Sequence, residues 1–145
     1  MTPPTDGDQA SDLSLVDALA QLSFLVQGAL IDATAGHDLS IIQTRLLGIL
    51  RDREPTMNEL GGYLGLDKSS ITGLVDRAER RGLVRRTAST RDRRAVQVSI
   101  TDEGRHVGEL VALKFEQRIA AITGRLTNAE RARLATLATR ISGSA

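Results

Sequence analysis

The segment from Asp67 to Arg94 carries side chains suited to binding phosphate groups. It holds nine basic and four acidic residues, a net charge of +5, whereas residues 1–66 carry −6 and residues 95–145 carry +2. The basic residues are Lys68, Arg77, Arg80, Arg81, Arg85, Arg86, Arg91, Arg93 and Arg94. Such a cluster gains affinity for nucleic acid because each phosphate contact releases condensed counterions. The net charge of +1 for the whole chain therefore conceals a candidate phosphate-binding surface.

The composition restricts the other chemistries open to the chain. It contains no cysteine, which excludes disulfides, thiolate metal sites and thiol-based redox sensing by this chain. Aromatic residues make up only 2%, so stacking platforms for single strands are lacking and duplex DNA is the better target. The spacing of an enzymatic phosphate loop fails because Asp67 precedes Lys68, and the two histidines, His37 and His106, lie far apart in sequence. We therefore expect neither an enzyme nor a protein with a cofactor or metal.

The length of 145 residues and the hydrophobic content of 41% predict one compact domain in residues 12–145. Residues 1–11 are rich in proline and small polar residues, which predicts a flexible N-terminal tail. Polar residues interrupt the longest apolar stretches well short of the roughly 18 residues that indicate a membrane span, and the N-terminus has no signal-peptide pattern. The chain is accordingly expected to be cytosolic, with no membrane partner.

Local signals predict where several helices begin. Apolar residues recur at helical spacing over residues 12–35 and predict a first helix. Capping boxes of the S/T-x-x-E/Q type begin at Ser40, Thr56 and Thr127. In such a box the two side chains satisfy backbone amides that would otherwise lack partners, so each box predicts a helix start.

The basic segment contains one of these predicted helices followed by a hairpin. Asp67 can cap a helix over 68–81, which Gly82 closes in the left-handed position after its end. Residues 83–87 and 95–100 are predicted strands joined by a long basic tip. In the second strand three apolar side chains are expected to alternate toward the core: Val96, Val98 and Ile100. This order is typical of a winged helix-turn-helix lobe, here over residues 40–101, and predicts a mainly α fold with a small β-hairpin wing.

The regions outside this lobe are predicted to form dimerisation helices. These regions are residues 12–35 and 102–145. The second region begins with a long amphipathic helix that Thr101 can cap. We expect neither region to have another domain to pack on, yet both carry apolar faces, which argues for a homodimer. The expected interface residues are Leu15, Leu19, Leu22, Leu134, Leu137 and Ile141.

Side chains at the start of the helix over 68–81 are candidates for contact with bases. In a helix-turn-helix the N-terminal residues of the second helix reach into the major groove. The candidates are Lys68, Ser69, Ser70 and Thr72. The alternative is that Ser69 and Ser70 merely occupy the favourable first turn of a solvated helix. Arg80 and Arg81, at the helix C-terminus, are interpreted as cations that complement the helix dipole without touching DNA.

Arginines at the hairpin tip are candidates for contact with the minor groove. A narrow minor groove concentrates negative potential and attracts arginine, which favours insertion of Arg91 or Arg93. Arg94 is expected to face back toward the lobe or a phosphate. The alternative is a solvated turn whose charges serve only solubility.

These motifs together resemble the MarR family of bacterial transcription regulators over residues 12–142. The resemblance lies in Asp67-Lys68-Ser69-Ser70-Ile71-Thr72-Gly73-Leu74-Val75-Asp76-Arg77, Arg80-Arg81-Gly82-Leu83-Val84-Arg85-Arg86, Asp92-Arg93-Arg94-Ala95 and Ile100-Thr101-Asp102-Glu103-Gly104. It implies a triangular dimer with recognition helices in consecutive major grooves and wings in adjacent minor grooves. It also implies regulation by small, often aromatic or anionic ligands that bind between the dimerisation helices and the DNA-binding lobe.

The resemblance also assigns supporting residues. It places Arg77 against the wing or a phosphate, with Asp92 as an available acidic partner, and groups Thr56 and Arg94 with them as backbone contacts or wing support. The chain departs from the family pattern at Gly61-Gly62 and at Ala78, where the family usually has helix-favouring alanine and core leucine. Each glycine is expected to weaken its short helix by roughly 0.5 to 1 kcal/mol relative to alanine.

The sequence thus favours a dimeric, ligand-responsive transcriptional regulator that binds a pseudo-palindromic operator on double-stranded DNA and represses. The alternative function is a winged-helix protein-interaction module, without specific DNA binding, whose basic face meets an acidic partner.

Overall fold

The computed structural model describes residues 12–143, which form six helices and one two-stranded antiparallel hairpin. The elements are α1 (Leu15–Thr34), α2 (Ile41–Leu50), α3 (Met57–Leu64), α4 (Lys68–Arg80), β1 (Val84–Ala88), β2 (Val96–Ile100), α5 (Asp102–Ile122) and α6 (Asn128–Ser142). The predicted mainly α fold with a hairpin wing is confirmed. The predicted tail, residues 1–11, lies outside the described residues.

The helix starts follow the predicted caps. Both hydrogen bonds of a capping box are present at Ser40, Thr56 and Thr127, and Asp67 caps α4 through the amide of Ser70. Each cap satisfies amides in the first turn, where a helix has no backbone acceptors of its own. Local sequence therefore determines where these four helices begin.

Two helices of the lobe end at glycines in the left-handed conformation. Gly65 has φ +64° and Gly82 has φ +73°, a region that side chains with a Cβ rarely adopt. After Gly82 the amide of Leu83 donates to the carbonyl of Ala78, which closes a Schellman motif. The chain thus turns sharply from α4 into β1 and places the hairpin directly beside the helix.

The core of the lobe lies beneath α4 and includes residues from α1 and α5. Leucines of α2 and α3 pack there with one face of α4 and with strand residues that include Val84 and Val98. The largest fully buried side chains are Leu46, Leu50, Leu60, Leu74, Val75, Val84 and Val98. Because Ala33 of α1 and Val111 of α5 belong to the same cluster, the long helices and the lobe share one core.

Strand β2 pairs along both of its edges. One edge pairs with β1, and on the other Thr56 bridges Gln97 while the Val98 amide donates to the Pro55 carbonyl at 2.9 Å. Gln97 is therefore buried, and its amide donates to the carbonyl of Glu54. The predicted inward alternation is wrong at Val96, which is 40% exposed because it lies at the tip end of the strand, beyond the core.

Helix α1 is, by length and composition alone, apolar enough to cross a membrane, with a mean hydropathy of 1.4 over an 18-residue window. The expectation that no stretch of the chain could span a membrane is therefore wrong by the criteria of length and composition. Here Ala29 and Ala33 are buried, and Asp32 lies 3.6 Å from the guanidinium of Arg118 on α5. The inward face of α1 packs against α5, whereas the first half of α1 remains largely exposed.

Replacing Gly62 by alanine is expected to stabilise the protein by about 0.5 to 1 kcal/mol, because alanine restricts the unfolded chain and favours the helix. A Cβ on Gly62 would meet no atom within 4 Å. The matched variant is Gly61→Ala, whose Cβ would lie 3.2 Å from the Leu66 carbonyl oxygen and should gain less. Urea unfolding midpoints of both variants provide the test, and a Gly62→Ala protein less stable than wild type would contradict the expectation.

Candidate nucleic-acid interface

Helix α4 presents one buried and one exposed face. Ile71, Leu74, Val75 and Ala78 are buried at the spacing of one helix face. The predicted base-contacting residues lie outside that face and are all exposed: Lys68, Ser69, Ser70 and Thr72. The first turn of α4 is therefore free to enter a groove in the way that a recognition helix requires.

Hydroxyl groups in this turn are partly engaged by the protein itself. Asp67 accepts the Ser70 amide at 2.7 Å and the Ser69 hydroxyl at 3.1 Å. The Thr72 hydroxyl donates to the carbonyl of Lys68 at 2.7 Å. In these rotamers the hydroxyl oxygens of Ser69 and Thr72 can accept a hydrogen bond from a ligand. Each hydroxyl must rotate away from its present acceptor before it can donate one.

The same contacts favour the ionised form of the Asp67 carboxyl. The backbone N–H of Ser70, together with the hydroxyls of Ser70 and Ser69, lowers the pKa of the Asp67 carboxyl. Because the folded-state pKa is lowered, the stability that this cap contributes is present above the ordinary carboxyl value and is lost as the pH falls through the lowered one. At neutral pH the start of α4 is therefore capped by a full charge.

The arginines at the end of α4 have different surroundings. Arg81 donates to the carbonyls of Asp38 and His37, the latter at 2.7 Å, and so fastens the α1–α2 loop to the helix. Arg80 is exposed, in keeping with its interpretation as a cation at the helix C-terminus. Arg77 is also exposed, and one of its guanidinium nitrogens would lie 3.2 Å from a Cβ built on Gly73.

The expected pairing of Arg77 with Asp92 is wrong. Within residues 12–143 no hydrogen bond or ion pair joins the two. The Asp92 carboxylate instead accepts the backbone amide of Arg94 at 3.0 Å, because an aspartate in a turn readily binds an amide two residues on. Asp92 thus supports the wing through its own turn.

The turn at the hairpin tip is held by the side chain of Ser89 as well as by that of Asp92. The hydroxyl of Ser89, a buried residue, accepts the amides of Arg91 at 3.2 Å and Asp92 at 3.3 Å. Arg91, Arg93 and Arg94 are exposed, and their guanidinium groups have no partner among the described residues. The tip therefore holds three available cations on a turn that is closed by hydrogen bonds.

Arg86 was not assigned a role from the sequence. Its guanidinium forms ion pairs with Asp76 and Glu79 of α4, the latter at 3.1 Å, and its backbone amide donates to Glu79 at 2.9 Å. Only 25% of the Arg86 side chain is exposed. The signal available in the sequence was the presence of Asp76 and Glu79 one turn apart, just before a basic strand.

Thr56 lies at the junction of these elements. It caps α3 and bridges Gln97 of β2, so it joins the helix in front of α4 to the wing. Its partly buried position supports the local fold at the edge of the candidate interface.

Known proteins resemble this chain over the helices and the strand that form the candidate interface. The model of the MarR family matches residues 37–95, which include α2, α3, α4 and β1. The HTH-type transcriptional regulator TtmR of Methylorubrum extorquens is 31% identical over 135 residues, which cover 92% of this chain and 68% of TtmR. The chain belongs to the MarR family.

A further relative supports this membership, and a solved structure shows the same fold. The transcriptional activatory protein BadR of Rhodopseudomonas palustris is 40% identical over 86 residues, and the match covers 55% of this chain and 48% of BadR. The apo crystal structure of Escherichia coli MarR has the same fold, with a TM-score of 0.75 at 24% identity over 90% of this chain and 98% of that one. The chain is thus a DNA-binding transcriptional regulator of the MarR family, which is not an enzyme family.

Proposed function

We propose that this MarR-family protein is a cytoplasmic homodimer that binds a pseudo-palindromic operator, represses transcription there and responds to a small ligand. The observation that carries the proposal is the arrangement of two sets of exposed polar groups on one lobe. The exposed first turn of α4 suits the major groove, and the unpaired arginines of the tip suit the adjacent minor groove. A dimer bound across promoter DNA would obstruct transcription, which favours repression.

The dimer is supported by the uncovered apolar surface outside the lobe. Leu15 and Ile141 are 76% and 74% exposed, and Leu19, Leu134 and Leu137 are also exposed, while Leu22 is partly buried. None of the described residues of α6 is buried. A second copy related by a two-fold axis could cover these faces with the same faces of its own.

A cavity between the long helices and the lobe supports a ligand-responsive mechanism. It has a volume of about 520 Å³ and lies among α1, α2 and α5. Apolar side chains such as Leu47 and Phe115 line it together with three arginines and two glutamates: Arg45, Arg51, Arg105, Glu109 and Glu116. Such a lining suits a small aromatic molecule that carries an anionic group. Thermal shift with a panel of aromatic carboxylates would test this part of the proposal.

The proposed DNA binding can be tested by selecting duplexes from a random library and then titrating salt. Wild-type protein should enrich a two-fold symmetric sequence and bind it with a steep decrease of log affinity against log salt. Weak binding to every duplex, with no symmetric sequence enriched, would contradict the proposal.

Removing the two tip arginines, in the variant Arg91→Ala with Arg93→Ala, should weaken operator binding. The slope of log affinity against log salt should flatten by up to about 0.9 for each phosphate that the variant no longer neutralises. Folding should be unaffected because both side chains are exposed. A matched variant, Arg125→Ala with Arg133→Ala, removes the same charge far along the chain from the tip and should retain most of the affinity. Wild-type affinity and slope in the folded tip variant would show that the wing does not contact DNA.

A further inference from the structure

Gly73 creates a gap in the exposed face of α4. On the α-helical wheel it lies on the same face as Ser69, one turn earlier, and opposite the buried residues Ile71, Leu74, Val75 and Ala78. Apart from the guanidinium of Arg77, no atom outside the helix backbone lies within 4 Å of a Cβ built there. The centre of this face is therefore available to a side chain that comes from elsewhere on the helix.

Arg77 occupies this gap. Helical side chains point toward the N-terminus of their helix, so Arg77 extends back over the preceding turn. Its guanidinium would lie 3.2 Å from a Cβ at Gly73, which is four residues or about 6 Å closer to the helix start. The charge of Arg77 thus lies just behind the turn formed by Lys68, Ser69 and Ser70.

The guanidinium of Arg77 also has free hydrogen-bond donors. It forms no hydrogen bond or ion pair with any residue in the described range 12–143, whereas Arg81 and Arg86 of the same surface are held by carbonyls and carboxylates. Arginine binds the O6 and N7 atoms of guanine through two parallel N–H donors, which is the most common base-specific contact in the major groove.

We propose that Arg77 is a specificity-determining residue that recognises a guanine in each half-site, and that Gly73 provides the space through which it reaches the base. The inference rests on the proposed operator binding by α4. It differs from the expectation that Arg77 contacts the wing or a phosphate, since a phosphate contact carries no base preference.

The test compares the base preferences of wild type, Arg77→Ala, Arg77→Lys and Gly73→Ala by selection from a random duplex library. Wild type should select a G·C pair at one position of each half-site. Arg77→Ala and Arg77→Lys should lose about 5- to 150-fold in affinity for that sequence, because lysine keeps the charge without the paired donors. On a duplex changed only at that pair, both variants should bind about as tightly as wild type.

Gly73→Ala should lower the same preference although it leaves the charge unchanged, because its methyl group would lie 3.2 Å from the guanidinium and would narrow the space that Arg77 occupies. Arg80→Ala is the matched control for loss of one exposed arginine from α4, and it should keep the preference for the G·C pair. Circular dichroism of each variant establishes that the fold is retained.

Three outcomes separate this inference from the proposed function. If wild type selects an operator and Arg77→Ala weakens binding equally on all sequences, with a salt slope reduced by about one, Arg77 contacts phosphate and the inference is wrong. An unchanged preference in all three variants would also overturn it. If wild type selects no sequence at all, the proposed operator binding is wrong as well.

Discussion

A Leu137→Asp, Ile141→Asp variant is expected to be monomeric or misfolded and to lose nearly all operator affinity. Both side chains are exposed on α6, a helix without buried residues in the described part of the chain. Two carboxylates in an apolar interface would lose hydration without gaining partners, which costs several kcal/mol. Two lobes joined by a dimer can meet half-sites about 10 base pairs apart, whereas a single lobe can bind only one of them.

Light scattering and operator titration measure the two parts of this expectation. The matched control is Thr136→Asp, Thr139→Asp, which adds the same charge to the other face of α6, where both hydroxyls bind carbonyls of their own helix. That control should remain dimeric. Wild-type protein that is monomeric at micromolar concentration yet binds a half-site as tightly as the full palindrome would overturn the dimer.

Gly104→Ala is expected to destabilise the protein by about 1 to 3 kcal/mol or more, the usual cost of adding a methyl group to a filled space. A Cβ at Gly104 would overlap the carbonyl oxygen of Leu83 and would lie 2.9 Å from a side-chain carbon of Ile100. The Leu83 oxygen cannot move freely, because it accepts the amide of Thr101 at 3.0 Å. The added methyl must therefore shift either α5 or the turn between α4 and β1.

The control for Gly104→Ala is Gly108→Ala, one turn further along α5, where a Cβ would meet only Leu47 at an ordinary 3.8 Å. This variant should be as stable as wild type or slightly more stable, because alanine favours a helix. Thermal unfolding at fixed protein concentration compares the two. Equal melting temperatures for Gly104→Ala and wild type would show that the contact with Leu83 relaxes at little cost.

Sequence predicted the elements well because their signals are local. A capping box or a capping aspartate spans four residues, and the helix starts at Ser40, Thr56, Asp67 and Thr127 were found in this way. The exposure of Val96 was missed because periodicity defines a face of a strand but not where along the strand the core ends.

Long-range partners could not be predicted from the same signals. The clamp of Arg81 on the α1–α2 loop joins groups more than 40 residues apart, and the contact of Gly104 with Leu83 depends on how α5 meets the hairpin. Charge counting also treated Arg86 and Arg91 alike. In the fold Arg86 is held by Asp76 and Glu79 and is not available to a ligand, whereas Arg91 is exposed.

The ion pairs of Arg86 have a consequence for regulation. They fasten the base of the hairpin to α4, so we expect the two elements that would contact one half-site to move together. A ligand that rotates one lobe against the other would then alter the distance between half-sites while leaving the geometry within each half-site unchanged. On this basis an effector would raise or lower occupancy at all operators of the same spacing, and the preferred bases would be the same with and without it.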